Sequence, residues 1–296
     1  MKAFVTAPVV ASRSIGRVAE ALAKYAPPSV EIVAKEADAD LVVLHVIGRR
    51  DQMLAKAREI LKRGARYAVA QYVLRSTQKP SPDDWFDFWI DSAVVWSYLD
   101  LVRAITTDDL SDHRFEELAG SFYHSPLGVE SDVFRPSSAV SNQYVIGTSG
   151  QSWLTESVRE CVVAAEKVGR RAWHLGGELG RRAVDCKSGI ADYVLADYYR
   201  ASSFVSGLRR IEGFELPAAE GLLCGARPLL FANSSGYDWY KPWGIFIEET
   251  DRQGVIDQLV PIFRAGAKPV TAEERAAAAE RFNWKTIVQE FWRRAL

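Results

Sequence analysis

Ile211-Glu212-Gly213-Phe214-Glu215-Leu216-Pro217-Ala218-Ala219-Glu220-Gly221-Leu222-Leu223-Cys224-Gly225, continuing into Arg227-Pro228-Leu229-Leu230-Phe231, is the stretch that decides the fold. It opens as a glycine-bearing loop. Pro217 suits the first turn of a helix, where its missing N–H leaves no bond unmade. Gly225 suits a left-handed close to that helix. Pro228 to Phe231 is a short apolar run, the pattern of a buried parallel strand. The helix is small and apolar except for Glu220. A lone carboxylate beside a sheet needs a polar partner. Two readings stand: Glu220 complements the helix dipole, or it contacts a ligand.

Taken together, these residues resemble the signature of retaining nucleotide-sugar glycosyltransferases of the GT-B fold, whose usual form is E-G-F-G-L-P-x-x-E-A-x-A-x-G. Glu212 and Glu220 stand at the two glutamates, with Gly213, Phe214, Leu216 and Pro217 between them. The resemblance implies that Glu220 holds the donor ribose hydroxyls and that Glu212 lies near the transferred sugar. It also implies that the loop amides face the diphosphate, as exposed N–H groups at a helix start do for anions. Glu215 stands where the family has glycine. A carboxylate there repels a diphosphate unless it turns away or pairs with a cation.

The chain has 296 residues, 48% apolar and 25% charged, with a net charge of −1. That length suits two domains. The charge gives no electrostatic case for nucleic acid or an anionic membrane, and no apolar run reaches the length of a transmembrane helix. Met1-Lys2-Ala3-Phe4-Val5 passes directly into strand-like sequence without a signal-peptide plan. Cys161, Cys186 and Cys224 show no metal-ligand spacing. They read as reduced thiols of a cytoplasmic protein, and no metal site is expected.

Working outward, strands are expected at Lys2–Ala7, Glu31–Ala34, Asp40–Val46, Tyr67–Leu74 and Ala93–Trp96, with helices at Gly16–Tyr25 and Arg49–Arg63 between them. Open α/β sheets bind ligands at the carboxyl ends of their strands. That places Gly16 and Arg17 after the first strand, His45 at the end of the third, and Arg75 after the fourth, on the side where the family binds its acceptor. For His45 a structural and a catalytic role are both open. Trp85, Phe88 and Trp89 form an aromatic helical stripe, which reads as core. Ser125-Pro126-Leu127-Gly128-Val129-Glu130-Ser131-Asp132-Val133-Phe134-Arg135-Pro136 resembles the segment that ends the first domain in the same family, P-N-G-V-D-x-x-x-F-x-P.

The second domain opens with Tyr144-Val145-Ile146-Gly147 and the loop Thr148-Ser149-Gly150-Gln151-Ser152. The family usually carries an arginine and a lysine here for the diphosphate. This loop has neither, offering two hydroxyls and a close backbone approach at Gly150. Arg209 and Arg210, just before Glu212, are the nearest basic residues, and one of the two is expected to supply the charge; a solvent-facing pair is the other reading. The aromatic loop Tyr237-Asp238-Trp239-Tyr240-Lys241-Pro242-Trp243 follows the next strand and is expected to border the site. Phe282-Asn283-Trp284 to Leu296 resembles the family's closing helix, which braces the first domain.

The reading is α/β, two Rossmann-like domains facing across a cleft in the GT-B arrangement, at residues 1–138 and 139–296. The resemblance implies retaining, metal-independent transfer of a sugar from a nucleotide sugar, a UDP- or GDP-sugar as co-substrate, to an acceptor hydroxyl. Two alternatives stand beside it. One is a non-catalytic nucleotide- or glycan-binding relative, and the other a phage-type enzyme glycosylating a modified DNA base.

Overall fold

The structure, a computed structural model, describes residues 1–6, 13–46, 50–72, 87–101, 113–137, 142–150, 156–210, 214–232 and 235–296. The chain forms two compact units, Met1–Leu127 with Trp284–Leu296, and Gly128–Asn283.

The first unit holds a six-stranded parallel sheet: β1 (Lys2–Val5), β2 (Glu31–Ile32), β3 (Leu41–Val46), β4 (Arg66–Gln71), β5 (Val95–Ser97) and β6 (Phe122–His124), in the order β2-β1-β3-β4-β5-β6. All six residues of β3 are buried, as a strand covered on both faces requires. Its helices are α1 (Arg13–Lys24), α2 (Arg50–Lys62) and α3 (His113–Ser121). Val42, Leu44, Ile60, Tyr67, Val69, Phe88 and Trp89 meet in its core. The last helix, α9 (Trp284–Ala295), belongs to this unit. Ile287, Val288, Phe291, Trp292 and Ala295 form its buried stripe. Trp292 Nε1 donates to the Leu22 carbonyl at 3.0 Å, and Trp284 meets Trp96 edge-on at 6.3 Å.

The second unit repeats the plan: β7 (Tyr144–Ser149), β8 (Ala172–Leu175), β9 (Val184–Lys187), β10 (Ser202–Gly207), β11 (Arg227–Phe231) and β12 (Ile245–Ile247), all parallel, in the order β12-β11-β10-β7-β8-β9. Its helices are α4 (Val158–Lys167), α5 (Asp192–Arg200), α6 (Leu216–Cys224), α7 (Arg252–Ala265) and α8 (Ala272–Arg281). The α6 helix has Pro217 in its first turn and closes at Gly225 with φ 104°. Segment 128–137 groups with this unit. Val129 N–H donates to the Phe282 carbonyl at 2.8 Å, and Arg200 donates to the carbonyls of Arg135 at 2.6 Å and Val133 at 2.8 Å.

Each strand order contains one reversal. The chain runs from β1 out to β2, then returns to lay β3 on the other side of β1. It likewise runs β7, β8, β9 and returns to lay β10 beside β7. At such a switch point the flanking connections leave on opposite faces, so the carboxyl ends of β1/β3 and of β7/β10 are where an open sheet leaves a crevice.

Candidate functional site

At the switch point of the second sheet, β7 ends in Thr148-Ser149 and Gly150 follows it. Gly150 has φ +132°, and a Cβ on it would lie 1.9 Å from Glu156 Oε2. Only glycine lets the Glu156 carboxylate lie there. Thr148 and Ser149 had been expected to offer hydroxyls to a phosphate. Thr148 Oγ1 instead faces the neighbouring strand, donating to the Trp173 carbonyl at 3.2 Å and lying 3.0 Å from His174 Nδ1. The Ser149 hydroxyl is buried with no hydrogen-bond partner among the described residues. His174 is buried, which pushes its imidazole down to about 4, against a hydrogen bond to the Gly150 backbone that works the other way. Neutral His174 thus ties the end of β8 to the β7 loop.

The carboxyl end of β10 leads directly to Arg209. Its Nε lies 2.7 Å from Glu215 Oε1, and its Nη1 2.8 Å from Glu156 Oε1. Glu215 is 1% exposed. It precedes α6 as the capping residue, yet its side chain caps nothing; it turns to the guanidinium instead. A buried carboxylate needs such a partner, which answers the question raised by an acid at the family's glycine position. The backbone of this clasp is held by the aromatic loop: Tyr237 OH donates to the Arg209 carbonyl at 3.0 Å, and Tyr240 OH to the Glu215 carbonyl at 2.6 Å. Arg210 lies apart from the clasp. It pairs with Glu249 at 2.9 Å and covers the Phe231 ring at 5.3 Å.

Within α6, Glu220 is 2% exposed among small and apolar neighbours. Phe214 and Leu216 are buried, and the Phe214 ring meets Tyr240 at 5.6 Å and Phe282 at 5.7 Å. Their side chains serve the core. The same holds for Tyr237, Tyr240 and Trp243; the aromatic loop, expected to border the site, meets the clasp through the hydroxyls of Tyr237 and Tyr240.

In the first unit, His45 sits near the carboxyl end of β3, at the β1/β3 switch point, 3% exposed. Its Nδ1 lies 2.8 Å from Tyr72 OH, and the two rings stack with centroids 5.7 Å apart. Burial lowers its pKa to about 4. Gly16 and Arg17 are inside α1, which starts at Arg13. The helix expected from Gly16 begins three residues earlier, which puts both residues within its first turns. Glu212, Gly213 and Arg75 lie outside the described residues. Among the described residues, no cluster of three or more His, Cys, Asp or Glu side chains is placed to hold a metal ion, and no helix is long and apolar enough to cross a membrane.

No family model matches the chain, and no curated protein is similar to it in sequence. Solved structures are similar in shape. AviGT4, a glycosyltransferase involved in avilamycin A biosynthesis, is 14% identical with a TM-score of 0.68, over 99% of this chain and 96% of that one. HepE from Anabaena, solved with UDP and with UDP-glucose, is 12% identical, with a TM-score of 0.69 for the UDP complex over 99% and 98%. Sucrose-phosphate synthase from Thermosynechococcus elongatus is 13% identical with a TM-score of 0.70, over 99% and 97%. At such identities the likeness is one of fold, and the two six-stranded parallel sheets are those of the GT-B glycosyltransferase fold.

Proposed function

We propose that this chain is a retaining, metal-independent glycosyltransferase that moves a sugar from a UDP- or GDP-sugar to an acceptor hydroxyl in the cytoplasm. One observation carries the reading. A guanidinium, the N-terminus of the signature helix and a glycine-ended strand converge on the switch point of the second sheet. Arginine grips phosphate oxygens through parallel bonds, and a helix start adds oriented N–H groups. Glu220 is the residue for the donor ribose, and Arg209 the cation for the leaving diphosphate. Arg209 takes precedence over Arg210 because it lies in the clasp with Glu215 and Glu156 just after β10, whereas Arg210 lies apart against Glu249 and Phe231. Neutralising that charge with protein groups alone needs no metal. HepE, similar in fold, was solved with UDP-glucose, which supports the same donor class here. The three cysteines are unpaired, as in a reducing compartment.

The test is a thermal-shift panel of nucleotides and nucleotide sugars, followed by donor hydrolysis and transfer with the ligand that stabilises. A bound nucleotide raises the melting temperature by mass action. Stabilisation by a nucleoside diphosphate and slow release of free sugar are expected. Nucleotide binding without release of sugar by any donor would favour the non-catalytic reading.

A further inference from the structure

His45 and Tyr72 form an isolated polar pair. Among the described residues, the Nδ1···OH contact of 2.8 Å is the only hydrogen bond either side chain makes, and His45 Nε2 is buried with no partner. Two arrangements of protons fit that contact. If His45 Nδ1–H donates to the tyrosine oxygen, the Tyr72 O–H proton has no acceptor and Nε2 has no donor, so two buried groups go unsatisfied. If Tyr72 O–H donates to Nδ1, the proton of the imidazole sits on Nε2, and that N–H is the single group left over. Buried polar groups are rarely left unpaired, so the second arrangement prevails. Stacking at an interplanar angle of 15° fixes the ring pair further, and Tyr98 OH, donating to the Tyr72 carbonyl at 2.8 Å, holds the tyrosine backbone.

The remaining N–H stands near the carboxyl end of β3, beside the reversal in strand order. A donor kept buried and unpartnered at that edge is a group waiting for an acceptor. We propose that Tyr72 is a positioning residue that locks His45 in its Nε2–H form, and that this N–H donates to an oxygen of a ligand bound at the carboxyl edge of the first sheet. The acceptor is a sugar hydroxyl or a phosphate oxygen, the two oxygen types a sugar-transfer reaction presents. His45 is then a hydrogen-bond donor and not a general base, because its second nitrogen is already occupied by Tyr72.

The proton assignment is independent of the glycosyltransferase reading; the ligand half, whose candidate oxygens are those of sugar transfer, rests on it. The experiment is a long-range proton–nitrogen correlation spectrum of the full chain labelled at histidine nitrogen, at pH 7.5. His45→Gln assigns the resonances by their loss. The expected spectrum shows the proton on Nε2 and an upfield, hydrogen-bonded Nδ1. In Tyr72→Phe the Nδ1 resonance should move to the position of an unbonded ring nitrogen. A proton found on Nδ1 in the parent overturns the proposal, as does an Nδ1 resonance that Tyr72→Phe leaves in place. Three probes then test the ligand: methyl glucoside, inorganic phosphate and UDP-glucose. A shift of the Nε2–H proton with the glucoside assigns a hydroxyl, a shift with phosphate assigns a phosphate oxygen, and a shift with UDP-glucose alone supports donation to an oxygen of the intact nucleotide sugar. A resonance unmoved by all three overturns the ligand half while the tautomer result stands.

Discussion

Glu156→Gln should make this protein bind nucleoside diphosphates more tightly. Arg209 holds two carboxylates, Glu215 at 2.7 Å and Glu156 at 2.8 Å, so the cluster carries one positive and two negative charges before a ligand arrives. Glu215 is the deeper partner, with 2% of its side chain exposed against 11% for Glu156, so Glu156 is the one a phosphate displaces or crowds. Like charges about 5 Å apart repel by about 2–3 kcal/mol at an effective dielectric constant near 20–30. Partial solvent access at the guanidinium reduces this, leaving about 1–1.5 kcal/mol, roughly a tenfold gain in affinity. Glutamine keeps the shape and still accepts a bond from Arg209, so the β7 loop is expected to stay in place. Calorimetric titration of UDP and GDP into parent and variant measures the gain, and it should shrink at high salt. Equal or weaker binding in a variant that melts like the parent would refute the view that Glu156 and the diphosphate compete for Arg209.

Glu220→Gln should weaken nucleotide binding by about 1–3 kcal/mol through loss of a buried charged hydrogen bond; unchanged affinity in a folded variant removes Glu220 from the ribose. Arg209→Ala should lower turnover roughly a hundredfold or more, the scale of one preorganised donor to a developing oxyanion. Arg210→Ala should keep most of its activity, and comparable losses in both would mean that Arg210 also serves the site. Burial holds His45 and His174 near about 4 instead of 6.5. On acidification the unfolded chain binds these protons first, so their contribution is complete above about pH 6.5 and fades towards pH 4, by up to about 3 kcal/mol for each. Urea midpoints between pH 7.5 and 4.5 should therefore fall less steeply in His174→Gln than in the parent, and parallel slopes would exclude His174 as a source of acid sensitivity.

The long apolar runs were legible because burial on both faces leaves few choices of residue: β3 and β11 are found where the runs lie, and Pro217 and Gly225 bracket α6 as their backbone chemistry dictates. Short strands at sheet edges were harder. β9, Val-Asp-Cys-Lys, is half-buried along its whole length and has no apolar run to reveal it, while β2 lies in the expected Glu31–Ala34 strand but is only two residues long. In the site, the sequence poses the need for a cation near Glu215 but not its source or its second partner. Glu156 and Arg209 are 53 positions apart, and His174 and Thr148 26. Such contacts come from strand order, which local periodicity does not encode. The role of the aromatic loop is hard to read for a related reason: a tyrosine that braces a backbone and one that stacks on a ligand look the same in a sequence.

The first unit is made from both ends of the chain, and this sets an order in time. Trp292 reaches the Leu22 carbonyl across 270 positions. During synthesis at about 5–20 residues per second, the stretch between Leu127 and Ala295 takes roughly ten to thirty seconds to emerge. For that interval the first sheet exists without the helix that covers α1, while residues 128–283 are already sufficient to complete the second unit. The half made first is thus the half finished last. Its uncovered apolar face is the surface that a nascent-chain chaperone would meet, and the one from which aggregation would start if α9 were withheld.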